Sequence, residues 1–438
     1  MHEDSGAPRL RSIATGTVAV SCVLAVAAIA WHLWAVPITE PGYGLFTNGI
    51  DTKVYRGGAL AVLHDTPLYS EPVYKMWQFT YPPFAALVMV PLGLLGPYEA
   101  FRLMNAVNVL CLVLLIFLTL RALRFRRDGR FWLTVAALTV AVTVLEPVRT
   151  TIWNGQINLV LAVLVVGCLT LPLGRWRGLG VGLAAGIKLT PLFFVGYLAV
   201  TRQWRAAATA VGVFALTVLI GLVVLRDQAV EFWSGIGRDT SRIGPVDAVA
   251  NQSFNGFFAR LGTVGVWQAP TWLWLPVGAV LAALGLYGAW RAHRAGAEML
   301  AITLTGLTAC AVSPFSWGHH WIWLVPLLVI ALVQAVDAAR RDRPWTWLWW
   351  LAPAAVVAVG YSWRVRAVEG DVARWRFGSY RLFWPPDHDV WGRVLGVIDG
   401  GSYLWVFLAT LGVTLWWTAR ADPIRFKPND VVAPTRPS

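Results

Sequence analysis

Long apolar segments alternate with short polar ones along most of this chain of 438 residues. Ten apolar segments are 17–25 residues long, which is enough for a helix rising 1.5 Å per residue to cross a hydrocarbon core of about 30 Å. Backbone amides in lipid must bond within their own segment, so each is predicted to be α-helical. The predicted spans are about 12–36, 101–120, 132–148, 157–173, 206–225, 270–290, 297–313, 320–336, 345–361 and 401–419.

Two further apolar segments do not fit a simple crossing. Residues 82–96 are few and begin with two prolines, which favours a re-entrant or interfacial helix. Residues 178–201 carry arginine pairs on both flanks, with Lys188 and Pro191 near the middle. A helical hairpin turning near these two residues satisfies both flanks, as would two short spans. Irregular backbone at membrane depth is tolerated only where it is buried or lines a cavity, so we expect Lys188 beside a cavity.

The composition agrees with this pattern, since 57% of the residues are hydrophobic and only 13% are charged. Soluble domains carry about 25% charged residues. The predicted fold class is therefore an all-α polytopic membrane protein with 10–12 transmembrane helices. We expect one integral membrane domain over 1–438, with external loops at 37–100, 226–269 and 362–400. The polar tail 420–438 contains several prolines and is predicted to be disordered and cytoplasmic.

The net charge of +13 is unevenly distributed. If the N-terminus is placed inside, nearly all of the excess lysine and arginine falls in the inside loops, as the positive-inside rule requires. We therefore predict a plasma-membrane protein with both termini cytoplasmic and its polar motifs on the external side. Its surroundings are membrane lipids, and nucleic acid is excluded as a partner. All four cysteines lie in apolar segments, so no disulfide framework is expected.

Candidate chemistry begins in the first external loop. Asp51 opens a stretch whose apolar spacing predicts a short helix on the membrane surface. It could cap that helix, or it could act as a general base whose pKa is tuned by partial desolvation. Tyr81 precedes two prolines, which predict extended backbone. Its side chain could brace the loop or face a substrate.

Amide and cationic side chains mark two more external segments. The segment before the span at 157 contains an arginine and two amides, which could be helix caps or could bind sugar hydroxyls; they are Arg149, Gln156 and Asn158. The loop before the span at 270 has a similar composition, which could arise by chance; its candidates are Asn251, Gln252, Asn255 and Arg260.

Adjacent histidines stand at the outer end of the span at 320. His319 and His320 diverge by about 100° on a helix, and neither cysteine nor paired carboxylates lie nearby in sequence, so no metal site is predicted. Contact with a phosphate, or an acid–base role, fits them better. Trp317 could line the site or belong to the aromatic belt. No phosphate-binding glycine loop occurs between a strand and a helix, so a cytosolic nucleotide donor is unsupported. No cofactor is predicted.

These groups together suit transfer of a sugar from a phosphate-bearing lipid to a hydroxyl group. A carboxylate would remove the acceptor proton while cations stabilise the departing phosphate. A transporter or flippase for a polar lipid is the alternative, because an intramembrane lysine and broken helices suit it too. A carrier, however, needs polar groups facing both leaflets, whereas these motifs are predicted to lie on one side.

Six short motifs carry a family resemblance. They are GIDTKVY from Gly49, FTYPPFAAL from Phe79, GQIN from Gly155, GIKLTP from Gly186, NQSFNG from Asn251 and SPFSWGHHW from Ser313. In this order they resemble the GT-C polyprenyl-phosphate-sugar-dependent glycosyltransferases, in particular the actinobacterial α-1,2-mannosyltransferases. The agreement covers about residues 45–325.

The resemblance implies a GT-C fold, a polyprenyl-phosphate-mannose donor and an acceptor that is a phosphatidylinositol mannoside or lipomannan. It implies inversion to an α-1,2 bond, without a metal. Asp51 would be the base, His319 or His320 would assist at the phosphate or acceptor, and Lys188 would contact the donor phosphate. Many GT-C enzymes have two acidic residues in the first loop, whereas only Asp51 stands in the expected place here. An arabinofuranosyltransferase using polyprenyl-phosphate-arabinose stays open as an alternative.

Overall fold

The computed structural model describes residues 10–35, 38–40, 42, 44–263, 265–341, 345–361, 363–369, 372–378 and 400–420. The predicted tail after Arg420 and most of the segment predicted as the last external loop lie outside these residues. The helices are α1 Thr15–Ala30, α2 Ile50–Leu63, α3 Pro83–Val88, α4 Val90–Gly93, α5 Pro97–Ala122, α6 Gly129–Ala141, α7 Glu146–Asn154, α8 Asn158–Thr170, α9 Leu179–Ile187, α10 Phe193–Val200, α11 Trp204–Val224, α12 Arg226–Ser234, α13 Phe254–Thr263, α14 Trp274–Arg294, α15 Glu298–Val312, α16 Leu324–Arg340, α17 Thr346–Trp349, α18 Leu351–Gly360 and α19 Ser402–Arg420.

Every predicted span contains a helix, which confirms the helical membrane fold. Among the described residues, five helices are long and apolar enough to cross a membrane: Thr15–Trp34, Pro97–Ala122, Trp204–Val224, Trp274–Arg294 and Ser402–Arg420. The pair α7 and α8 adds a sixth if this bent pair is one span, and several further apolar helices are shorter. The sequence did not predict the antiparallel hairpin of β1 (Trp363–Glu369) with β2 (Val372–Gly378) in the last external loop.

The segment at 178–201 is the predicted helical hairpin. Gly178, Gly182 and Gly186 of α9 lie in that order against Ala206, Ala210 and Thr217 of α11, so α9 and α11 run parallel; small residues permit this close approach. After Lys188, whose backbone is extended, α10 returns and leads directly into the start of α11. Helices of nine and eight residues are about 12–14 Å long and cannot cross the core individually.

The helix at 82–96 is also short, as predicted. It is divided into α3 and α4, of six and four residues. Gly93 of α4 packs on Ala59 and Leu63 of α2, and Pro83 of α3 lies near Gly221 of α11. This segment therefore packs α2 against α11. Its two helices are too short to cross a membrane.

A sharp bend between α7 and α8 determines the position of the GQIN motif at 155–158. The two helices meet at 117°, and Gly155 between them has a φ of +67°. A side chain there would strike Thr52 of α2, because a Cβ atom would lie 1.9 Å from its Oγ1. Only glycine fits both the left-handed backbone and this close approach.

The arginine-rich loops and the motifs occupy opposite ends of the bundle. Arg11 pairs through its backbone with Arg124 and through its side chain with Asp337. Arg121, at the end of α5, donates to the carbonyl of Thr170 at the end of α8. The GQIN motif lies at the opposite end of α8, where the helix begins at Asn158.

Candidate active site

Asp51 lies in the first turn of α2, and the structure shows how its position is fixed. Gly49, with a φ of +66°, precedes the helix, and its N–H donates to the carbonyl of Trp153 at 2.8 Å. A Cβ at Gly49 would strike the ring of Phe101. The cap position belongs to Gly49 and no side chain caps this helix, so the structure contradicts the interpretation of Asp51 as a helix cap.

The environment of Asp51 suits a proton acceptor. Burial raises the pKa of this carboxyl from 3.8 to about 6, while a hydrogen bond from Gln156 and the positive charge of Lys188 oppose the increase. Both forms of the acid are therefore accessible near neutral pH. A base needs this balance, because it must be ionised before the reaction and must accept a proton during it.

A buried hydrogen-bond network lies beside Asp51. The Tyr55 hydroxyl donates to Gln156 Oε1 at 2.7 Å and lies 3.1 Å from the Tyr81 hydroxyl. It also accepts from the N–H of Ile157 at 3.4 Å. The network joins α2, the loop before α3 and the bend before α8.

Lys188, at the turn of the hairpin, forms the cationic part of the site. Its Nζ donates to Asn158 Oδ1 at 3.2 Å and to His320 Nε2 at 2.8 Å, and it lies 5.5 Å from the centre of the Tyr81 ring. Among the described residues, no carboxylate forms an ion pair with Lys188. The ammonium group is therefore held by neutral partners and can still balance the charge of an anion.

His319 and His320 lie on the short helical turn Gly318–His320, next to Lys188. Burial, with Lys188 adding to it, lowers the pKa of both imidazoles well below 6.5. His320 accepts from Lys188, which requires an unprotonated Nε2. His319 is 7% exposed and stacks on Trp317, and its Nε2 has no hydrogen-bond partner in the described structure.

Lys188 lies beside a cavity, as predicted. The cavity has a volume of about 40 Å³ and is lined by Lys188, Asn158 and His320 together with apolar side chains such as Phe194 and Trp323. Its polar side is the cationic part of the site, and its apolar side continues among α8, α10 and α15.

The motif at 251–256 is hydrogen-bonded to the histidine loop, residues 313–321, which carries His319 and His320. Asn251 Oδ1 accepts from the N–H of Ser316 at 2.9 Å, and Asn251 forms an isolated β-bridge with Trp317. The N–H of Gln252 donates to the Ser316 carbonyl at 2.7 Å. Both amide side chains are fully buried.

Arg260 and Asn255 also bind backbone. Arg260 Nη1 donates to the carbonyls of Ala248 at 2.8 Å and Asn251 at 2.7 Å. Asn255 Nδ2 donates to the Pro314 carbonyl at 3.0 Å. These contacts hold the two loops together; a role in substrate binding stays a prediction for both residues.

Arg149 lies in a second buried cluster. It stands one turn after Glu146 on α7, where the two charges interact, and its guanidinium lies 5.9 Å from the centre of the Trp31 ring. The Glu146 carboxylate accepts from Thr150 at 3.0 Å and from Tyr403 at 2.6 Å. None of these contacts joins Arg149 to Lys188.

Sequence reasoning missed Tyr55. Its signal was present, because residues four apart lie on the same face of a helix and Tyr55 follows Asp51 by four. No group of three or more metal-ligating side chains occurs in the described part of the chain, and the absence of a metal from the reaction stays a prediction.

Lys188 and His320 line a largely apolar cavity, and the Asp51 carboxyl lies near enough for the charge of Lys188 to act on it. This arrangement suits a group-transfer site in a helical membrane protein. The model of glycosyltransferase family 87 matches residues 79–314, more than half of the sequence. The chain belongs to glycosyltransferase family 87 and is a membrane glycosyltransferase. This confirms the predicted family resemblance and excludes the transporter alternative.

Curated relatives agree with the family match. The chain is 32% identical over 424 residues to the polyprenol-phosphate-mannose-dependent alpha-(1-2)-phosphatidylinositol mannoside mannosyltransferase of Mycolicibacterium smegmatis, covering 89% of this chain and 88% of that protein. It is 32% identical over 400 residues to the corresponding pentamannoside mannosyltransferase of Mycobacterium tuberculosis, covering 87% and 84%. An alpha-(1->3)-arabinofuranosyltransferase of M. tuberculosis is 26% identical over 362 residues, covering 78% and 79%. No solved structure was found to match.

Proposed function

We propose that this chain transfers mannose from polyprenyl-phosphate-mannose to the 2-hydroxyl of a mannose on a phosphatidylinositol mannoside or related lipoglycan. Transfer takes place on the external face of the plasma membrane. The relatives of higher identity, whose names state this donor and an α-(1-2) linkage, support the substrate assignment. The observation that carries the chemistry is the proximity of Asp51 and Lys188: the positive charge of Lys188 acts on the Asp51 carboxyl, and Lys188 Nζ lies 5.5 Å from the centre of the Tyr81 ring.

The reaction follows from the charges of these groups. The Asp51 carboxylate accepts the proton of the acceptor hydroxyl, whose oxygen forms a bond to C1 of the donor sugar. The bond between C1 and the phosphate oxygen breaks, and its electron pair leaves with polyprenyl phosphate. Attack from the face opposite the phosphate converts a β-linked donor into an α-linked product.

Lys188 stabilises the departing phosphate because it carries a positive charge that no described carboxylate neutralises. His319 presents an unbonded Nε2 and assists at the phosphate or the acceptor, while His320 holds Lys188 through the 2.8 Å contact. Trp317, Tyr81, Gln156 and Asn158 complete the site around these groups. Neither a metal nor another cofactor takes part.

The sidedness follows from the charge distribution. The site lies at the end of the bundle opposite the arginine-rich loops, and the positive-inside rule assigns those loops to the cytoplasm. Labelling of single cysteines in intact cells tests this: an impermeant maleimide added from outside should reach a cysteine at position 241, which is exposed in the loop between α12 and α13, and should miss one at position 342. The reverse pattern would contradict the topology.

Purified protein in lipid nanodiscs provides the direct test of the substrate. Mannosyl and arabinosyl polyprenyl phosphates are supplied separately with a phosphatidylinositol mannoside acceptor, and radiolabelled lipids are separated. We expect transfer from the mannosyl donor and release of the new sugar by an α-1,2-specific mannosidase. Transfer only from the arabinosyl donor would replace this proposal with the arabinofuranosyltransferase.

A further inference from the structure

Residues 74–77 form a tight turn in the loop between α2 and α3. Tyr74 and Trp77 exchange two backbone hydrogen bonds, at 3.2 and 2.8 Å, so Lys75 and Met76 occupy the tip of the turn. Lys75 has a φ of +53°, a left-handed conformation that non-glycine residues rarely adopt. Met76 is 78% exposed and Trp77 is 44% exposed. The turn therefore presents one cation and two apolar side chains at the surface of the protein.

The chain leading into this turn is packed on α2. A Cβ atom at Gly57 would lie 2.5 Å from the carbonyl oxygen of Val73, so glycine permits the close approach. Lys53 stands four residues before Gly57 and therefore lies on the same face of the helix. Asp51 is two residues before Lys53, which places it about 200° away around the helix axis. The helix thus carries Asp51 on one face and Lys53 on the opposite face, beside the turn.

Two ammonium groups meet at the ring of Tyr74. Lys53 Nζ lies 5.8 Å from the centre of this ring, and Lys75 Nζ lies 5.7 Å from it. Lys53 Nζ also donates to the carbonyl of Asn48 at 2.9 Å. In the described part of the chain, neither lysine forms an ion pair. Because like charges repel, an anion bound beside this ring would be stabilised by both ammonium groups.

The apolar side chains of the turn indicate the kind of anion. Tryptophan is enriched at the level of lipid head groups, and lysines near a membrane surface attract anionic lipids. A free phosphate ion would gain nothing from the exposed side chains of Met76 and Trp77. The combination of two cations with two exposed apolar side chains therefore favours the phosphodiester of a phospholipid.

We propose that Lys53 and Lys75 bind the phosphodiester of the acceptor lipid beside Tyr74, while Met76 and Trp77 contact its apolar part. This inference rests on the proposed function, in which the acceptor is a phosphatidylinositol mannoside.

The two lipid phosphates of the reaction then have separate sites. Lys188 contacts the phosphate of the donor, and the pair of lysines at the turn holds the phosphate of the acceptor. Because α2 carries both Asp51 and Lys53, binding of the acceptor phosphate fixes the lipid relative to the base. The sugar chain of the acceptor extends from one face of this helix to the other.

The double variant Lys53→Gln/Lys75→Asn removes both charges. Asparagine tolerates the left-handed backbone at position 75, so the turn should keep its shape. With a phosphatidylinositol mannoside acceptor in phosphatidylcholine nanodiscs, we expect the acceptor KM to rise about tenfold, while kcat and the donor KM stay within about twofold. An unchanged acceptor KM would contradict the proposal.

Arg102→Gln is the matched control. Arg102 is likewise an exposed cation over a tyrosine, 4.4 Å from the centre of the Tyr98 ring, and it forms no ion pair with a described residue. Loss of this charge should leave the acceptor KM unchanged. An increase equal to that of the double variant would show a general effect of surface charge and would contradict the specific site.

Two further arms identify the source of the phosphate. If bulk anionic lipid occupied the site, the effect of the double variant would appear only in nanodiscs containing phosphatidylglycerol, which would overturn the assignment to the acceptor. Inorganic phosphate should compete with the acceptor far more weakly than a short-chain phosphatidylinositol does. Equal competition by the two would replace the lipid with a free anion.

Binding without donor separates this site from the proposed function. Purified wild-type protein should retain radiolabelled phosphatidylinositol mannoside, and the double variant should bind it about tenfold more weakly. If the wild-type protein binds this lipid in a lysine-dependent manner but transfers no mannose, the proposed function is wrong and the site stands. If transfer is normal and the double variant binds the acceptor as the wild type does, only the site is wrong.

Discussion

Two of the buried polar clusters in the described structure lie one on each side of the bend between α7 and α8. In the first, Glu146 accepts from Thr150 and Tyr403 and interacts with Arg149. In the second, the charge of Lys188 acts on Asp51, but the two groups form no ion pair in the described part of the chain. Acid and cation in the first cluster balance each other, which suits a structural role. Their separation in the second leaves room and charge for a substrate.

The same segment of sequence supplies both clusters. Arg149 and Gln156 are seven residues apart, but Gly155 bends the chain by 117° between α7 and α8, so their side chains enter different environments. Whether a buried charged residue interacts closely with an opposite charge therefore indicates, better than its residue type, whether it can act on a substrate. Each of the following predictions challenges this distinction.

Asp51→Asn should have the largest effect. The amide keeps the shape of the side chain but cannot accept the acceptor proton, so transfer should fall by about 10²–10⁴-fold, the usual contribution of a general base. Initial rates with saturating donor and acceptor measure it. Donor binding should persist, and near-wild-type rates would contradict the role of Asp51.

Lys188→Ala should come next. Removing the ammonium group takes away the charge that stabilises the departing phosphate, so kcat/KM for the donor should fall by about 10²-fold, of the order expected for one electrostatic donor. The acceptor KM should change far less. Lys188→Arg is the control that keeps the charge and should retain more activity; equal losses for donor and acceptor would count against the phosphate contact.

Glu146→Gln should act on stability instead of catalysis. Loss of the carboxylate charge removes the charge interaction between Glu146 and the buried Arg149, and breaking a buried pair costs about 3 kcal/mol. The thermal midpoint in detergent should therefore fall, while the KM values and pH profile of the folded fraction stay near those of the wild type. A selective loss of donor use would instead move Arg149 into the substrate site.

Asn255→Ala should have the smallest effect. It removes one hydrogen bond to the Pro314 carbonyl at a half-buried position, and such bonds contribute about 1 kcal/mol. We expect a slight decrease of the thermal midpoint and a donor KM within about twofold of the wild type. A large increase in donor KM would show that this amide contacts the substrate.

The features that depend on local pattern were predictable. The arginine pairs around 178–201 and the central Lys188 predicted the hairpin and its cavity, because charge and backbone satisfaction restrict a membrane segment strongly. The two prolines at 82–96 likewise predicted a short helix. Asp51 followed from its position after the first span and from the family resemblance.

The remaining features depend on contacts distant in sequence. Tyr403 reaches Glu146 across 257 positions, so no local pattern could assign Arg149 to a structural cluster. The amides at 251–256 have a composition that suits sugar binding, yet Asn251 and Gln252 bind the backbone of the histidine loop. Tyr55 could have been found from its helical spacing to Asp51, but its bond to Gln156 required the bend at Gly155.

The pH dependence of kcat/KM tests the central claim most directly. Burial raises the pKa of Asp51 from 3.8 to about 6, so the folded chain holds this proton more tightly than the unfolded chain and the group favours folding at low pH, an advantage that is lost as pH rises through about 6. The loss of activity at low pH should therefore result from reversible protonation of Asp51. We expect half-maximal kcat/KM near pH 6 and about a tenfold decrease in kcat/KM for each pH unit below it. An activity that stays constant from pH 7 to pH 5 while the protein remains folded would contradict a proton acceptor at Asp51.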